Sequence, residues 1–429
     1  MMQKADKIVG LLLMTPSVLL ALDIWQVPQV VDVADEFTLT VDGHNVPIYR
    51  MPEPERKTPG HCPYRFAVAH LAAEGEVSVS ASWEGGRTNF VGKVPFYKSI
   101  EPFGRTKPLI ILASRPQKNL PAKDAPGVRW FGPGLHKPGR ITLRSGETLV
   151  LEGGAWVEGA IVTEGDNIRI CGNGVLSGAP WPHWGGLSPY GGNLTQIAGR
   201  NISIENVLFW ASPAWTVVVW NAENVMIDSI KIVNGKTGND DGIDVCRSRN
   251  VTIRDSFVLS GDDCITPKWW CENLLVEKCT LWCECANVFR LGYECEKPPR
   301  AFRNLVFRDV DVLHMARETR PREAYWSVSL VHVDAANDQH FENICFEDLL
   351  FHDAPVPGEN FISLRTKVIK NHGTTPGYID GITFRNCRTA DGRPMNAYLS
   401  AADAEHPVAG VTFDESSPVI VTRVIEKRQ

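Results

Sequence analysis

A chain of 429 residues can hold two or three compact domains or one elongated repeat. Its net charge of −6 is mild and gives no support to nucleic-acid binding, since capture of a polyanion requires a local basic cluster. Glycine, proline and tryptophan are plentiful (36, 29 and 13 residues) and no long helical pattern is present, so the composition points to an all-β class.

In chain order, Lys4 and Lys7 precede an apolar run, Ile8 to Leu22, that is too short for a comfortable membrane span and is interrupted by Pro16. Residues 1–22 therefore read as a signal peptide, with Ala21 as the candidate cleavage residue. Export to a periplasmic or extracellular destination follows from that reading, with no stable membrane span after cleavage. Residues 23–114 carry six short alternating segments: Glu36 to Val41, Val46 to Tyr49, Tyr64 to Leu71, Val77 to Trp83, Phe90 to Val94 and Leu109 to Leu112. Turn residues such as Asp42-Gly43 bound them, which suggests a small β-sandwich-like domain. Its expected role is to cap the first coil of the C-terminal repeat region and protect an exposed strand edge. Residues 115–137, rich in proline and containing Gly132-Pro133-Gly134, form a junction.

Residues 138–429 repeat. A unit of asparagine or glycine followed by alternating apolar residues begins at Asn167, Asn201, Asn224, Asn250, Asn273, Asn304, Asn343, Gly381 and Gly410, at intervals of 34, 23, 26, 23, 31, 39, 38 and 29 residues. A constant strand unit with a variable interval is the pattern of a coil that takes loop insertions on one edge. The expected fold is a right-handed, single-stranded parallel β-helix of roughly ten coils.

Coiling turns sequence spacing into chemistry. Asp241 and Asp262 are 21 residues apart, close to one coil, and adjacent strands lie about 4.8 Å apart. Asp241 is thus expected beside Asp262 or Asp263, with Gly242 and Gly261 supplying the irregularity that lets both members of the pair reach one cleft. Crowded carboxylates raise one another's pKa, and an acid kept protonated beside an ionised base is what single-displacement hydrolysis of a glycosidic bond requires. Turn capping or calcium binding is the alternative for these aspartates.

The same segment, Asn239-Asp240-Asp241-Gly242-Ile243-Asp244, resembles the N-T-D-G-x-D motif of the polygalacturonases, glycoside hydrolase family 28, with Asp240 in place of threonine. Gly261-Asp262-Asp263 is similar to that family's G-D-D motif, and the sandwich-then-helix order is similar to the dextranase and isopullulanase family 49. The resemblance implies an inverting, polygalacturonase-like glycoside hydrolase acting on a polysaccharide or oligosaccharide. It makes Asp262 the acid and Asp241 with Asp263 the groups that hold and deprotonate water. Two departures put pectin in doubt. Ala286-Asn287-Val288 stands where the family has G-H-G, and its R-x-K motif has no clear counterpart near Arg317, Arg320 and Arg322.

Candidate substrate contacts are Lys268, Trp269, Trp270, Asn287, Arg290, Tyr293 and Glu294, together with Trp184 in a loop that also holds Trp181, His183 and Tyr190. For one of the two adjacent tryptophans core packing is the simpler role. His332 reads equally as a core or a site residue. Eleven cysteines, seven of them between Cys246 and Cys295, read as packed thiols with one or two disulfides rather than a zinc site. No metal or cofactor is called for. A polysaccharide lyase or epimerase, using Lys268 or Arg290 to abstract a proton, and a non-catalytic carbohydrate-binding β-helix stay open as alternatives.

Overall fold

The computed structural model describes residues 22–26, 28–55, 65–187, 191–297, 299–316, 328–353, 360–369 and 374–425. The signal-like segment before Leu22, together with Tyr190, Arg317, Arg320 and Arg322, lies outside the described residues. Among the described residues every regular element is a strand, and no helix is long and apolar enough to cross a membrane.

Two small sheets come first. One joins Leu22–Ile24, Tyr49–Arg50, Ala67–Ala73, Phe96–Ile100 and Leu109–Ser114; the other joins Phe37–Val41, His44–Asn45, Glu76–Trp83 and Gly86–Lys93. Alternation in Glu76–Trp83 buries Val77, Val79 and Ala81 in a core shared with Leu71 and Ile111 of the first sheet. Phe96–Ile100 falls outside the six segments legible in the sequence, because Phe96, Tyr97 and Ile100 do not alternate. The strand Ala67–Ala73 is buried along its whole length, since its second face has its own partner. Val68, Ile110 and Leu112 pack on Trp156, Leu208, Trp210, Leu259 and Trp282 of the large sheet. The first of these sheets therefore lies along the flank of several coils and not over the first coil as a cap.

The large sheet has 23 strands, from Val128–Phe131 to Val419–Ile425. Its first strand already pairs in parallel with Thr148–Leu151, within the proline-marked junction. Each later strand pairs in parallel with a strand one coil on, which is the topology of a parallel β-helix. Register aligns like with like. Ile202, Val225, Val251, Leu274, Leu305, Ile344 and Ile382 form one buried row, which the half-buried Val411 ends. Phe307, Phe346, Phe384 and Phe413 form another, with ring centroids 4.7, 5.1 and 4.9 Å apart and nearly parallel planes.

The residue that opens each repeat now has a physical reason. Asn167, Asn201, Asn224, Asn250, Asn273, Asn304 and Asn343 all have φ between +52° and +58°, a left-handed turn that asparagine tolerates better than most residues. From Asn201 onward each side-chain amide donates to the amide oxygen one coil earlier, at 2.7–3.0 Å. Gly381 and Gly410 continue the row at φ +82° and +61°, where absence of a Cβ serves the same backbone need.

The ten described cysteines are free thiols, contrary to the expected one or two disulfides. Most are buried in the coil interior, where a thiol packs as a small apolar group. Around the aspartates they also donate to backbone, as Cys283 does to the Asp262 carbonyl at 3.2 Å.

The asparagine row yields a stability prediction. Asn250→Ala keeps the left-handed φ but loses both ladder bonds and the residue's tolerance for that conformation, so urea unfolding should show a loss of about 1–3 kcal/mol. Asn250→Gly should lose clearly less, because glycine restores the backbone part. Equal losses in the two variants would contradict the assignment.

Candidate active site

The bend preceding Ile243–Arg254 carries Asp240 and Asp241, and the bend preceding Ile265–Cys283 carries Asp262 and Asp263. Ile243 pairs with Ile265, Gly242 donates to the Asp263 carbonyl at 2.8 Å, and Asp241 therefore sits one coil before Asp263. Because Asp262 and Asp263 lie before the strand begins, its alternation does not force them apart. The flanking glycines act by close approach. A Cβ on Gly242 would stand 2.4 Å from the Cys264 carbonyl oxygen, and one on Gly261 would stand 2.1 Å from Asp240 Oδ1. Neither glycine has a positive φ, so the expected backbone irregularity is not their contribution.

The carboxylates differ in their company. Asp240, fully buried, accepts backbone N–H bonds from Gly235, Lys236 and Thr237 at 2.8–3.2 Å and holds the turn before Asp241. Burial pushes it up to about 7, against those donors. Asp241 is 2% exposed, and its Oδ2 lies 3.0 Å from Lys268 Nζ, which also lies 2.8 Å from Asp244 Oδ1. Burial raises Asp241 to about 6, with the Lys268 cation pulling the other way. Burial opposes the charge on Lys268 too, yet Asp241, Asp244 and Glu294 outweigh it and hold the ammonium protonated. Asp263 accepts from the Asn287 backbone N–H at 2.9 Å and the Asn287 side-chain amide at 2.8 Å, with Arg290 Nε 4.0 Å away. Asp262 has neither arrangement. Its side chain meets its neighbour's N–H at 3.0 Å and the Asn239 amide in a long 3.4 Å contact. Burial and the charges of Asp241 and Asp263 push the Asp262 carboxyl well above the usual carboxylate range.

Other sequence candidates find definite places. Asn287 is committed to the cluster: its side-chain oxygen accepts from the Ser329 N–H at 2.9 Å while its amide holds Asp263. Arg290 is 5% exposed, pairs with Asp334 at 3.0 Å and lies over the Tyr293 ring at 4.7 Å. His332 is fully buried 3.1 Å from Asp334. Glu294 lies close enough for its charge to bear on Asp241 and Lys268. His183 contacts the Asn239 oxygen at 3.0 Å, and its backbone N–H donates to Glu55 at 2.9 Å, so the loop and the N-terminal region both support the Asn239 contact to Asp262. Trp270 is 7% exposed beneath the Arg300 guanidinium, 3.4 Å from its ring centroid. Trp269 and Trp184 instead line a pocket of 230 Å³ with Asn193, Gln196, Trp215 and Trp220.

Sequence reasoning missed Asp244, Asp334, Asn239, Trp215 and Trp220. Asp244 and Asn239 were within reach, since both lie inside the aspartate motif. Asp334 is placed by register alone, through the pairing of Gly292 with Asp334.

These features define a β-helix with an acidic cluster on one row of strand starts, and comparison with known proteins gives that class a narrower likeness. Residues 189–286, which include Asp241, Asp262 and Asp263, match glycosyl hydrolases family 28. An exopolygalacturonase of Cochliobolus carbonum is 34% identical over 86 residues, 19% of this chain and 19% of that protein. A probable exopolygalacturonase B of Aspergillus fumigatus is 26% identical over 204 residues, 43% of this chain and 44% of that protein. The matches thus span less than half the length of these curated relatives. Among solved structures, Dex49A from Penicillium minioluteum superposes with a TM-score of 0.55 at 13% identity, covering 93% of this chain and 96% of that one, a likeness of fold. The chain therefore resembles family 28 in sequence around the aspartates and a β-helix protein over nearly its whole length.

The Lys268 pairings predict a pH-dependent stability. Lys268→Met leaves Asp241 and Asp244 buried without their cation, a loss of about 3–5 kcal/mol when both are ionised. Burial raises both carboxyls and Lys268 pulls them back, so without the lysine the native state keeps its protons further up the pH scale, while the wild type begins to ionise Asp241 as pH passes about 6. The stability gap between wild type and variant should accordingly be small near pH 4 and widen toward pH 8 in thermal melts. A gap independent of pH would contradict the pairing.

Proposed function

We propose that the protein is an inverting glycoside hydrolase that cleaves glycosidic bonds of a polysaccharide or oligosaccharide. The observation that carries this reading is the unequal company of the three aspartates. Asp262, without a cation, is the carboxyl that burial and its neighbours keep protonated, which suits the group that donates to the leaving oxygen. Asp241, ion-paired to Lys268, and Asp263, held by two N–H donors from Asn287, are placed to take a proton from water. The family 28 match over 189–286 supports the same chemistry.

In the proposed reaction the Asp262 proton passes to the glycosidic oxygen as the C–O bond breaks. Water attacks the anomeric carbon from the opposite face and gives its proton to Asp241 or Asp263. Asp262 is left ionised and the base protonated, and exchange with solvent restores both. Among the described residues, the cluster's cations Lys268 and Arg290 are each already paired with carboxylates. That pairing favours hydrolysis over the lyase reading, which needs a basic side chain ready to abstract a proton. It also makes homogalacturonan an expected poor substrate.

Asp262→Asn tests the acid assignment. It keeps the side chain's size but removes the transferable proton, so turnover should fall by about 10²–10⁴-fold with folding nearly intact. The loss should shrink for a nitrophenyl glycoside, whose leaving group needs little protonation. Asp241→Asn should show no such rescue, because the water still lacks its base. Rescue of both variants, or of neither, would contradict the division of roles.

A further inference from the structure

Beside the carboxylates lies a feature that hydrolysis alone does not explain. Four indoles, from Trp184, Trp215, Trp220 and Trp269, line one pocket together with the amides of Asn193 and Gln196. Among the described residues no ionisable side chain lines it. Trp184 is 44% exposed at the rim, and Trp215, Trp220 and Trp269 are half-buried around it. The rings are mutually braced edge-on: Trp220 and Trp269 lie 4.7 Å apart between centroids, Trp215 and Trp269 6.3 Å. Asn193 and Gln196 are 5% and 3% exposed and linked by a 3.4 Å hydrogen bond, while Asn193 Oδ1 is buried with no partner among the described residues. A buried amide oxygen left without a donor is costly, and a ligand hydroxyl placed there would satisfy it.

Register fixes the pocket's relation to the aspartates. Trp215 sits one coil before Asp241, because Thr216 donates to the Asp241 carbonyl and Val217 pairs with Ile243. Gln196 pairs with Val218, which pairs with Asp244, two coils or roughly 10 Å along the axis. Lys268 joins the two regions directly, with its Nζ 3.5 Å from the centroid of the Trp215 ring while it pairs with Asp241 and Asp244. The volume, 230 Å³, falls below the roughly 300–1,000 Å³ of pockets that take drug-sized ligands, so its capacity is about one sugar ring.

Charge decides which sugar. The cations near the indoles are both neutralised: Lys268 by Asp241 and Asp244, and Arg247, 5.2 Å from the Trp220 ring and 5.4 Å from that of Trp269, by Glu296 at 2.6 Å. A uronate carboxylate seated here would be desolvated among indoles with Asp241 and Asp244 one or two coils away, an unfavourable exchange. A neutral pyranose offers apolar C–H faces to the rings and hydroxyls to the two amides. We propose that the pocket of Trp184, Trp215, Trp220, Trp269, Asn193 and Gln196 is a binding subsite for one uncharged pyranose unit, next to the point of cleavage. Its place beside a point of cleavage rests on the glycosidase reading; the binding itself does not.

Binding and turnover are therefore measured separately. Calorimetric titration of the Asp262→Asn protein with neutral trisaccharides of glucose and galactose, and with trigalacturonate, reads the subsite without hydrolysis. At least one neutral trisaccharide should bind, trigalacturonate should bind at least tenfold more weakly, and adding Trp220→Ala or Trp184→Ala should weaken the neutral ligand about tenfold or more. Trp184 is exposed, so its variant keeps the test valid should Trp220→Ala fail to fold. Trigalacturonate binding as tightly as the best neutral sugar, no binding of any neutral trisaccharide, or affinities unchanged in both tryptophan variants would overturn the subsite. Neutral binding lost in the tryptophan variants, with no hydrolysis of any glycoside by the wild-type protein, would instead uphold the subsite and remove the hydrolase reading.

Discussion

Parallel register between successive coils is the constraint on which everything else in this molecule depends. It places residues 19 to 42 positions apart in sequence at a separation of about 4.8 Å, and it does so repeatedly along one axis. Like side chains then stack, as the aliphatic row and the phenylalanine row do, and each coil buries an apolar edge that it cannot bury alone. The asparagine row is the polar counterpart. It meets a left-handed backbone requirement and ties each turn to the previous one, which is why that residue type marks the repeat so regularly.

The same constraint makes the acidic cluster electrostatically crowded. Stacking strand starts brings Asp241 next to Asp263 and Asp244 into the reach of Lys268, and buried carboxylates at that spacing cannot all ionise without compensation. Compensation is supplied unevenly, by Lys268 to one side and by Asn287 and Arg290 to the other, and Asp262, with neither, has its carboxyl pushed well above the usual carboxylate range. The N-terminal sheets contribute more than stability. Packed along the flank, the first of them brings Glu55 to the loop of His183, whose contact to Asn239 reaches Asp262.

How far the sequence could be read is set by the same physics. The coil was legible because register demands a constant strand unit even where the interval varies: the asparagine or glycine openers and their alternating apolar residues coincide with the stacked rows of the structure. The aspartates were legible because one coil's spacing puts Asp241 opposite the Asp262-Asp263 pair. What escaped were relations that no spacing encodes. The aromatic pocket draws on Trp184 in a loop, Trp215 and Trp220 in one coil and Trp269 in another, and only the fold brings them together. Asp334 lies 44 residues beyond Arg290, across an insertion of unpredictable length. The cysteines misled in the opposite sense, because thiols packed in a coil interior and thiols destined for disulfides look alike in a sequence.

In the proposed mechanism Asp262 acts as acid while Asp241 and Asp263 activate water on the opposite face of the sugar. Proton NMR of the first-formed product, recorded before mutarotation, tests it most directly. Single displacement by water predicts a product anomer opposite to that of the substrate bond. A product that retains the substrate's configuration would mean that one carboxylate attacks the sugar itself, and would contradict the roles assigned to all three aspartates.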